Sequence, residues 1–340
     1  MTDWESISQR DFELPSAGLH RLLVRLPYRH KGRENELRFP LIIARRGSGP
    51  SALVVGGTHG DEFEGQVAAM RLTDRLAAAP VSGTIIVVPQ HNFPACRAGT
   101  RLSPLDGTDL NRIYPAKPGD GPSCAIATFL TEHILPASDT VIDIHSGGRK
   151  LEFVLSSNLQ GRAGSPEVAN DLPLLMAFDA PYAIIFDELG PDLAMPHTGT
   201  LEATARAMGK RTLSSEIGGG GRLSPASVEV AENGLRNVLS YLGVLPDTTA
   251  VPPERSRSVL LQLGRPEHYV ASPADGMLVP HVQLGTGIRA DSVIGEIRTI
   301  GTASDWKVPI LAPTNGLVIA AAATGLVETG TTAFIIADPV

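Results

Sequence analysis

The chain has 340 residues, of which 42% are hydrophobic and 19% charged, so it can bury a sizeable core and is neither a disordered nor a fibrous protein. Its 29 basic and 36 acidic residues give a net charge of −7, opposite in sign to that of a general nucleic-acid or anionic-membrane binder. Two cysteines exclude a disulfide scaffold and a four-cysteine zinc site, whereas nine histidines leave material for another kind of metal site.

The N-terminus shows no targeting segment. Residues 1–16 are polar and acidic and lack the apolar centre of a signal peptide. No run approaches the roughly 18 consecutive apolar residues that a membrane span requires. We therefore expect a cytoplasmic protein that has neither a membrane nor a nucleic acid among its partners.

Strands and helices alternate over the first 245 residues. Two β-tending runs, 19–28 and 37–46, open the chain on either side of a polar turn. Short apolar runs then predict buried strands at 52–60, 84–90, 140–146, 181–188 and 210–221. Apolar spacing and stop signals predict helices at 62–79, 124–136, 199–208 and 225–242. This order predicts an α/β fold with helices on both faces of a sheet, where ligands gather at the carboxyl ends of strands.

After the proline-rich stretch 245–258, which we interpret as a linker, the sequence has short β-tending runs, many glycines and little helix signal. We expect a catalytic α/β domain over residues 1–245 and a smaller β-rich domain over 256–340. A weak repeat relates 272–297 to 312–336, and it is similar to the half-repeats of a biotinyl/lipoyl-type β-hammerhead. A working carrier of that type needs a central lysine, for which Lys307 is the candidate. A structural hammerhead or barrel-like module is the other interpretation.

The segment GTHGDE at 57–62 follows a predicted strand and opens a predicted helix. Its glycines permit a sharp turn, so that His59 and Glu62 can converge on one cation. A phosphate-binding glycine loop and a helix cap that uses Glu62 are the alternatives. The segment has neither the lysine nor the glycine spacing of a phosphate loop.

The segment DIHSGG at 143–148 contains a third candidate ligand. His145 ends an apolar strand, and two histidines with one glutamate form the ligand set of many hydrolytic zinc sites. Asp143 lies on the same face of that strand and can orient the imidazole of His145. A structural histidine beside a buried, hydrogen-bonded aspartate is the alternative.

A candidate acid/base and a candidate anion-binding loop complete the set. Glu216 lies at a strand end before four glycines, where a carboxylate can exchange protons with a metal-activated water. The polar loop 101–112 carries Arg101 and Arg112, which suit a carboxylate or an oxyanion. A glycine-rich loop with an incidental glutamate and a solvated loop with surface arginines are the alternatives.

Together the motifs GTHGDE, DGTDLNR, DIHSGG and EIGGGG, in this order, resemble the succinylglutamate desuccinylase/aspartoacylase family over about residues 50–240. The resemblance implies a zinc carboxypeptidase-like fold with a mixed sheet flanked by helices. It implies one Zn²⁺ held by His59, Glu62 and His145, with Glu216 as the general acid/base. It also implies that Arg101 polarises the scissile carbonyl, a role for which Arg97 is a nearby competitor.

The same resemblance implies that Asn111 and Arg112 bind a substrate carboxylate. In aspartoacylase a tyrosine from the C-terminal part also binds substrate, but the sequence assigns no equivalent here. Among the other histidines, His91 and His197 are expected to line the site if they have a role in it. The sequence is compatible with a homo-oligomer and does not fix the oligomeric state.

The resemblance therefore implies a zinc-dependent amidohydrolase that cleaves the linear amide of a small N-acyl amino acid with metal-activated water. N-acetyl-diaminobutyrate, N-acetylaspartate and succinylglutamate are the implied substrate classes. A peptide carboxypeptidase on the same scaffold is the first alternative. A non-catalytic binding or carrier protein built around the β-rich module is the second, and a modified Lys307 would reveal it.

Overall fold

The computed structural model describes residues 4–116, 119–187, 199–300 and 306–340. Within these ranges the chain forms a mixed sheet of 14 strands, a separate sheet of four strands and six α-helices. The predicted α/β class is therefore confirmed. Among the described residues, no helix is both long enough and apolar enough to cross a membrane.

The strands of the first 245 residues are, in chain order, β1 (Glu5–Ser8), β2 (Gly18–His30), β3 (Arg33–Arg46), β4 (Ser51–Gly56), β5 (Gly83–Val88), β6 (Thr140–Ile144), β7 (Leu151–Gln160), β8 (Tyr182–Phe186) and β9 (Arg211–Gly219). The α-helices are α1 (Phe63–Leu76), α2 (Phe93–Ala98), α3 (Pro122–Phe129), α4 (Pro166–Phe178), α5 (Leu201–Ala207) and α6 (Pro225–Tyr241). The later strands are β10 (Val259–Leu263), β11 (Tyr269–Ala271), β12 (Gly276–Pro280), β13 (Gly287–Ile288), β14 (Val293–Thr299), β15 (Val308–Leu311), β16 (Gly316–Ala322), β17 (Leu326–Val327) and β18 (Thr332–Pro339).

The first hairpin is tighter than the sequence predicts. Strands β2 and β3 extend to within two residues of each other, because Lys31 and Gly32 adopt φ angles of 49° and 75°. Two consecutive residues with positive φ match the right-handed twist of a hairpin. The polar stretch expected to be a turn is therefore mostly strand.

Within the described part of the first 245 residues, strands β1 and β7 and helices α2 and α4 were not predicted from the sequence. Strand β7 contains a run of polar residues, SSN, which hides the apolar signal of a buried strand. Helix α4 contains Pro173 in its interior, and α2 is only six residues long. Each of these features weakens the periodicity on which a sequence-based assignment depends.

The centre of the large sheet is the parallel set β5-β4-β6-β9. Its strands are apolar because helices cover both faces. Helices α1, α4 and α6 pack on one face through residues such as Leu72, Leu174 and Leu235. Helices α3 and α5 pack on the other through residues such as Ile126 and Leu201. The carboxyl ends of β4, β6 and β9 therefore lie side by side at one edge of the layered structure.

The strands after residue 256 continue the large sheet. Strand β10 pairs in parallel with β8, and β16 pairs antiparallel with β7. A buried apolar cluster that includes Phe153, Ile184, Leu261 and Ile319 joins the two parts of the chain. The C-terminal strands are thus placed against β7 and β8, the strands next to β9.

The sequence repeat has matching strands in its two halves. Strands β12 and β16 begin at Gly276 and Gly316, 40 residues apart, and β14 and β18 occupy corresponding places. The first strand of each half pairs with a strand of its own half, β12 with β14 and β16 with β18. Each also pairs with a short strand of the other half, β12 with β17 and β16 with β13. Lys307 follows β14 and lies 3.0 Å from the carboxylate of Glu296, measured from Nζ to Oε2.

Candidate functional site

The turn after β4 brings His59 and Glu62 together. A side chain at Gly60 would place its Cβ 2.0 Å from the carbonyl carbon of Ala95, so the close approach of this turn to α2 requires glycine. Glu62 occupies the N-cap position of α1, but its carboxylate caps no backbone N–H. Instead its Oε1 lies 2.7 Å from Nδ1 of His59. The helix-cap alternative for Glu62 is therefore wrong.

His145 reaches the same carboxylate from the end of β6. Its Nδ1 lies 2.8 Å from Oε2 of Glu62, and the two imidazole rings are 5.2 Å apart. One donor atom from each of His59, Glu62 and His145 lies within 4.8 Å of the others, and all three side chains are buried. Two nitrogens and one carboxylate at this separation are a donor set that fits a zinc ion with one position open.

The Nε2 atom of each histidine, which is the ring nitrogen that does not face Glu62, lies beside the carboxylate of an aspartate. Nε2 of His145 lies 3.0 Å from Oδ2 of Asp143, which also accepts a hydrogen bond from Thr58 Oγ1. Nε2 of His59 lies 3.1 Å from Oδ1 of Asp109. An N–H donated to a carboxylate fixes the tautomer and the ring orientation of a metal-binding histidine. The geometry agrees with the expected role of Asp143, whereas the contact of Asp109 was missed by the sequence reasoning.

The three grouped side chains shift one another's pKa values. Burial alone would lower the pKa of His59 and His145, but the surrounding carboxylates raise the pKa of both, that of His145 well above its usual value. Burial alone would raise the pKa of Glu62, but the two histidines hold it well below its usual range. Without metal, the mutual attraction therefore favours the ionised form of Glu62 and the protonated forms of both histidines.

Glu216 lies on β9, next to β6 in the sheet, and is partly buried. Its Oε2 is shielded from solvent and has no hydrogen-bond partner among the described residues. Burial, followed by the charge of Glu62, raises the pKa of Glu216 well above its usual value. A carboxyl group whose charged form is disfavoured in this way keeps its proton to higher pH than an exposed carboxyl group does.

The loop at 101–112 places Arg101 at the edge of the site. Its Nε and Nη2 lie 3.2 and 3.1 Å from Oδ2 of Asp109, and its Nη1 lies 3.4 Å from Nδ1 of His59. Arg97, the competing arginine, is exposed and lies over the ring of Phe93 at 5.9 Å. Of the two arginines, Arg101 is the one at the cluster.

Asn111 and Arg112 approach from a short 3-10 turn. The Oδ1 atom of Asn111 accepts the backbone N–H of Leu201 at 2.9 Å, so this side chain ties the loop to the start of α5. Arg112 donates from Nη1 to the carbonyl of Asn111 at 2.7 Å and keeps its other N–H groups for additional partners. The two residues therefore lie together, with only part of the hydrogen-bonding capacity of Asn111 left for a ligand.

All seven predicted site residues line one cavity of about 340 Å³. This volume is in the range of pockets for small molecules. Residues that the sequence reasoning missed complete the wall: Asn158 and Gln160 from β7, Glu202 from α5, and Tyr269 and Ile335 from the C-terminal strands. Burial raises the pKa of Tyr269 to about 12, so its phenol stays protonated.

Glu202 had no motif to mark it. It is 2% exposed, and its Oε1 lies 3.5 Å from Nε2 of His145. Burial would raise its pKa, but the hydrogen bond and charge of His145 lower the pKa to about 2, so the carboxylate is ionised. Its Oε2 has no hydrogen-bond partner in the part of the chain that the structure describes.

His91 and His197 were the two other histidines expected near the site. His91 is fully buried between Thr58 Oγ1 at 2.9 Å and Tyr114 Oη at 2.7 Å, and it does not line the cavity. Burial, with the charges of His145 and His59, lowers the pKa of His91 to about 3, so it supports the site as a neutral group behind Thr58. His197 lies outside the described residues.

Comparisons with known proteins agree on one family. Residues 48–242 match the model of the succinylglutamate desuccinylase/aspartoacylase catalytic domain. An N-alpha-acetyl-L-2,4-diaminobutyric acid deacetylase from Halomonas elongata is 34% identical over 301 residues, which are 88% of this chain and 86% of the relative. The product-bound structure of the ectoine utilization protein EutE (DoeB) from Ruegeria pomeroyi is 30% identical, with a TM-score of 0.87 over 96% of this chain and 98% of that one. A succinylglutamate desuccinylase structure from Silicibacter sp. TM1040 is also 30% identical, with a TM-score of 0.87 over 97% and 98% of the two chains.

Proposed function

Because the chain belongs to the succinylglutamate desuccinylase/aspartoacylase family, we propose that it is a zinc-dependent deacylase of small N-acyl amino acids. The observation that carries the proposal is the convergence of two Nδ1 atoms on Glu62 inside a cavity that also contains Glu216. The relative from Halomonas elongata makes N-α-acetyl-L-2,4-diaminobutyrate the first substrate to examine.

The donor set supports zinc as the metal. His59, Glu62 and His145 would hold it, since nitrogen and carboxylate donors in this number are typical of catalytic zinc. Asp109 and Asp143 accept hydrogen bonds from the Nε2 atoms, which would leave each Nδ1 available to bind the metal. When bound, the metal lowers the pKa of a water molecule and polarises the substrate carbonyl.

Glu216 carries the protons of the reaction in this proposal. A cation held by His59, Glu62 and His145 would favour the ionised form of Glu216, whose unpartnered Oε2 then accepts a proton from the water that attacks the amide carbon. The raised pKa of Glu216 then suits the second step, in which it delivers the proton to the leaving nitrogen as the C–N bond breaks. One carboxyl group at the cavity wall thus serves as base and then as acid.

The two arginines have separate roles. Arg101, held by Asp109 beside His59, donates N–H groups towards the oxyanion that forms at the amide carbon. Arg112, together with the amide nitrogen of Asn111, binds the α-carboxylate of the substrate. The α-carboxylate positions the acyl amide for attack, so a substrate that lacks it is expected to react slowly.

The proposal also includes the division of the chain into domains and its location in the cell. We propose two domains, residues 1–245 for catalysis and a hammerhead or barrel-like module at 256–340, since all six described α-helices end before residue 245. The second domain supplies Tyr269 and Ile335 to the cavity wall. A cytoplasmic location fits the two cysteines, Cys96 and Cys124, which are not joined in a disulfide.

A side-by-side assay distinguishes the deacylase from the alternative peptide carboxypeptidase. The purified protein is given N-α-acetyl-L-2,4-diaminobutyrate, N-acetyl-L-aspartate and a C-terminal dipeptide series, with and without a chelator. The proposal expects chelator-sensitive release of the free amino acid from an acyl-amino acid and slow cleavage of the peptides. Faster hydrolysis of peptides than of every acyl-amino acid would establish the carboxypeptidase instead.

A further inference from the structure

We infer that Tyr114, His91 and Thr58 are positioning residues of the proposed metal site. Their side chains form a chain of hydrogen bonds in which every proton points one way, towards Asp143, the carboxylate beside His145. The inference rests on the proposed function and adds residues that do not line the cavity. It begins from a buried histidine and a buried tyrosine that the proposed reaction does not use.

The chain of hydrogen bonds joins the ends of three neighbouring strands. Thr58 lies in the turn after β4, His91 follows β5, and Asp143 belongs to β6. The backbone N–H of His91 donates to the carbonyl of Gly56 at 2.9 Å, so the imidazole is fixed beside the turn after β4. The three strand ends are thus tied together by side chains behind the metal site.

Tyr114 connects this chain to the loop that binds substrate in the proposal. It lies two residues after Arg112, and its backbone N–H donates to the carbonyl of Gly199 at 2.9 Å. Its Oη lies 2.7 Å from Nε2 of His91. Burial raises the pKa of Tyr114 well above its usual value, so the phenol keeps its proton and can donate it.

The direction of the chain follows from the number of protons that each group carries. His91 is fully buried between two hydroxyl groups, and burial lowers its pKa to about 3, so its neutral ring carries one N–H. Oγ1 of Thr58 lies 2.9 Å from both carboxylate oxygens of Asp143 and 2.9 Å from Nδ1 of His91. When the single hydroxyl proton goes to Asp143, Nδ1 of His91 donates to Thr58 and Nε2 accepts from Tyr114.

The opposite direction leaves a buried proton without an acceptor. If Nε2 of His91 donated to Tyr114, the phenol O–H would need another acceptor. Within the described ranges, no side chain or carbonyl other than His91 lies at hydrogen-bond distance from this hydroxyl. A buried donor without an acceptor is costly, so the geometry favours the chain that points towards Asp143. The O–H donated to Asp143 then fixes the carboxylate that orients His145.

The tautomer of His91 tests the direction of the chain. In the metal-free protein, the nitrogen chemical shifts of isotope-labelled histidines distinguish a ring nitrogen that carries a proton from one that does not. His91→Gln identifies the signals of this residue. We expect a proton on Nδ1 of His91 and none on Nε2. A proton on Nε2, or on both nitrogens at neutral pH, would overturn the inference.

Zinc affinity tests whether the chain positions a metal ligand. Thr58→Val removes the hydroxyl and keeps the shape of the side chain, so zinc binding should weaken about 10- to 100-fold, whereas Thr58→Ser should restore it. Tyr114→Phe should weaken zinc binding about 3- to 10-fold, because one neutral hydrogen bond is lost. Tyr28→Phe is the matched control, since Tyr28 packs on the same apolar cluster as Tyr114 and takes no part in the chain. Urea unfolding of each variant separates a loss of stability from a loss of zinc.

Neither measurement needs a substrate, so failure of the inference is distinct from failure of the proposed function. If Thr58→Val and Tyr114→Phe lose zinc affinity as expected and no acyl-amino acid is hydrolysed, the inference stands and the deacylase fails. If both variants bind zinc as tightly as the wild-type protein, or Thr58→Ser binds it as weakly as Thr58→Val, the inference fails and His91 is a core residue. A wild-type protein that binds no zinc would overturn both.

Discussion

His59 and His145 are arranged alike although they come from segments 86 residues apart in the chain. Each directs Nδ1 to Glu62 and Nε2 to an aspartate. The sequence predicted that His59, Glu62 and His145 meet, because they stand in short motifs at strand ends. It could not predict Asp109 or Glu202, whose contacts arise only when a loop and a helix fold over the ends of the strands.

The first prediction concerns the protons that a metal displaces. The carboxylates raise the pKa of both histidines, so the metal-free protein holds the proton at each Nδ1 to higher pH than a free imidazole does. Zinc binding at pH 7 should release roughly one to two protons per ion, and the apparent affinity should rise with pH until the histidines are neutral. Calorimetry in two buffers of different ionisation enthalpy measures this number. Binding without proton release would show that the histidines are already neutral.

A second prediction assigns the α-carboxylate to Arg112. Arg112→Ala should raise KM for an acyl-amino acid about 10- to 100-fold, because a charge-assisted hydrogen bond is lost. The same variant should treat N-acetyl-1,3-diaminopropane, which lacks the carboxylate, as the wild-type protein does. Arg97→Ala, which changes an exposed arginine outside the cavity, is the control. Equal losses on both substrates would place Arg112 outside carboxylate recognition.

At the scale of elements, the site depends on how closely α1 lies against the central strands. A Cβ at Gly65 would lie 2.3 Å from the carbonyl oxygen of Ile144, the residue before His145. Glu62 lies just before α1, so the distance between Glu62 and His145 is set by this contact. Sequence periodicity located α1 and β6, but it contains no information on their separation. It also missed β7, whose polar residues Asn158 and Gln160 face the cavity while Ser157 donates a hydrogen bond to the carbonyl of Leu175 in α4.

Gly65→Ala tests the contact between α1 and β6. The added methyl group must push the helix away from the strand, at a cost of about 1–3 kcal/mol in the free energy of unfolding. It should also weaken zinc binding, because Glu62 moves relative to His145. Gly325→Ala is the control, since that glycine is exposed and a Cβ there would meet nothing within 4 Å. Urea unfolding and zinc titration of both variants provide the comparison, and unchanged zinc affinity in Gly65→Ala would contradict the account.

At the scale of the whole molecule, the C-terminal strands belong to the structure of the site. Residues 182–186 of β8 pair with residues 259–263 of β10, and buried apolar side chains join the two parts. The change from alternating helices and strands to short β-tending runs after residue 245 indicated a second domain. It did not indicate that residues of this part, such as Tyr269 and Ile335, line the cavity.

The shared sheet predicts cooperative unfolding of the two parts. Hydrogen exchange measured against denaturant should show the peptides that cover 182–186 and 259–263 losing protection in one transition. The physical reason is that either strand, without the other, would expose backbone groups and the apolar cluster around Ile184 and Leu261. Loss of protection in 259–263 at clearly lower denaturant would show that the C-terminal part unfolds by itself.

The most direct test is a zinc titration of the metal-free protein that records both bound zinc and the hydrolysis of N-α-acetyl-L-2,4-diaminobutyrate. The wild-type rate should rise linearly and reach a plateau at about one zinc ion per chain. Glu216→Gln should bind the same amount of zinc and retain less than about a hundredth of the rate, because the proton carrier is lost. A wild-type rate that does not depend on zinc, or a Glu216→Gln plateau equal to that of the wild type, would contradict the proposed reaction.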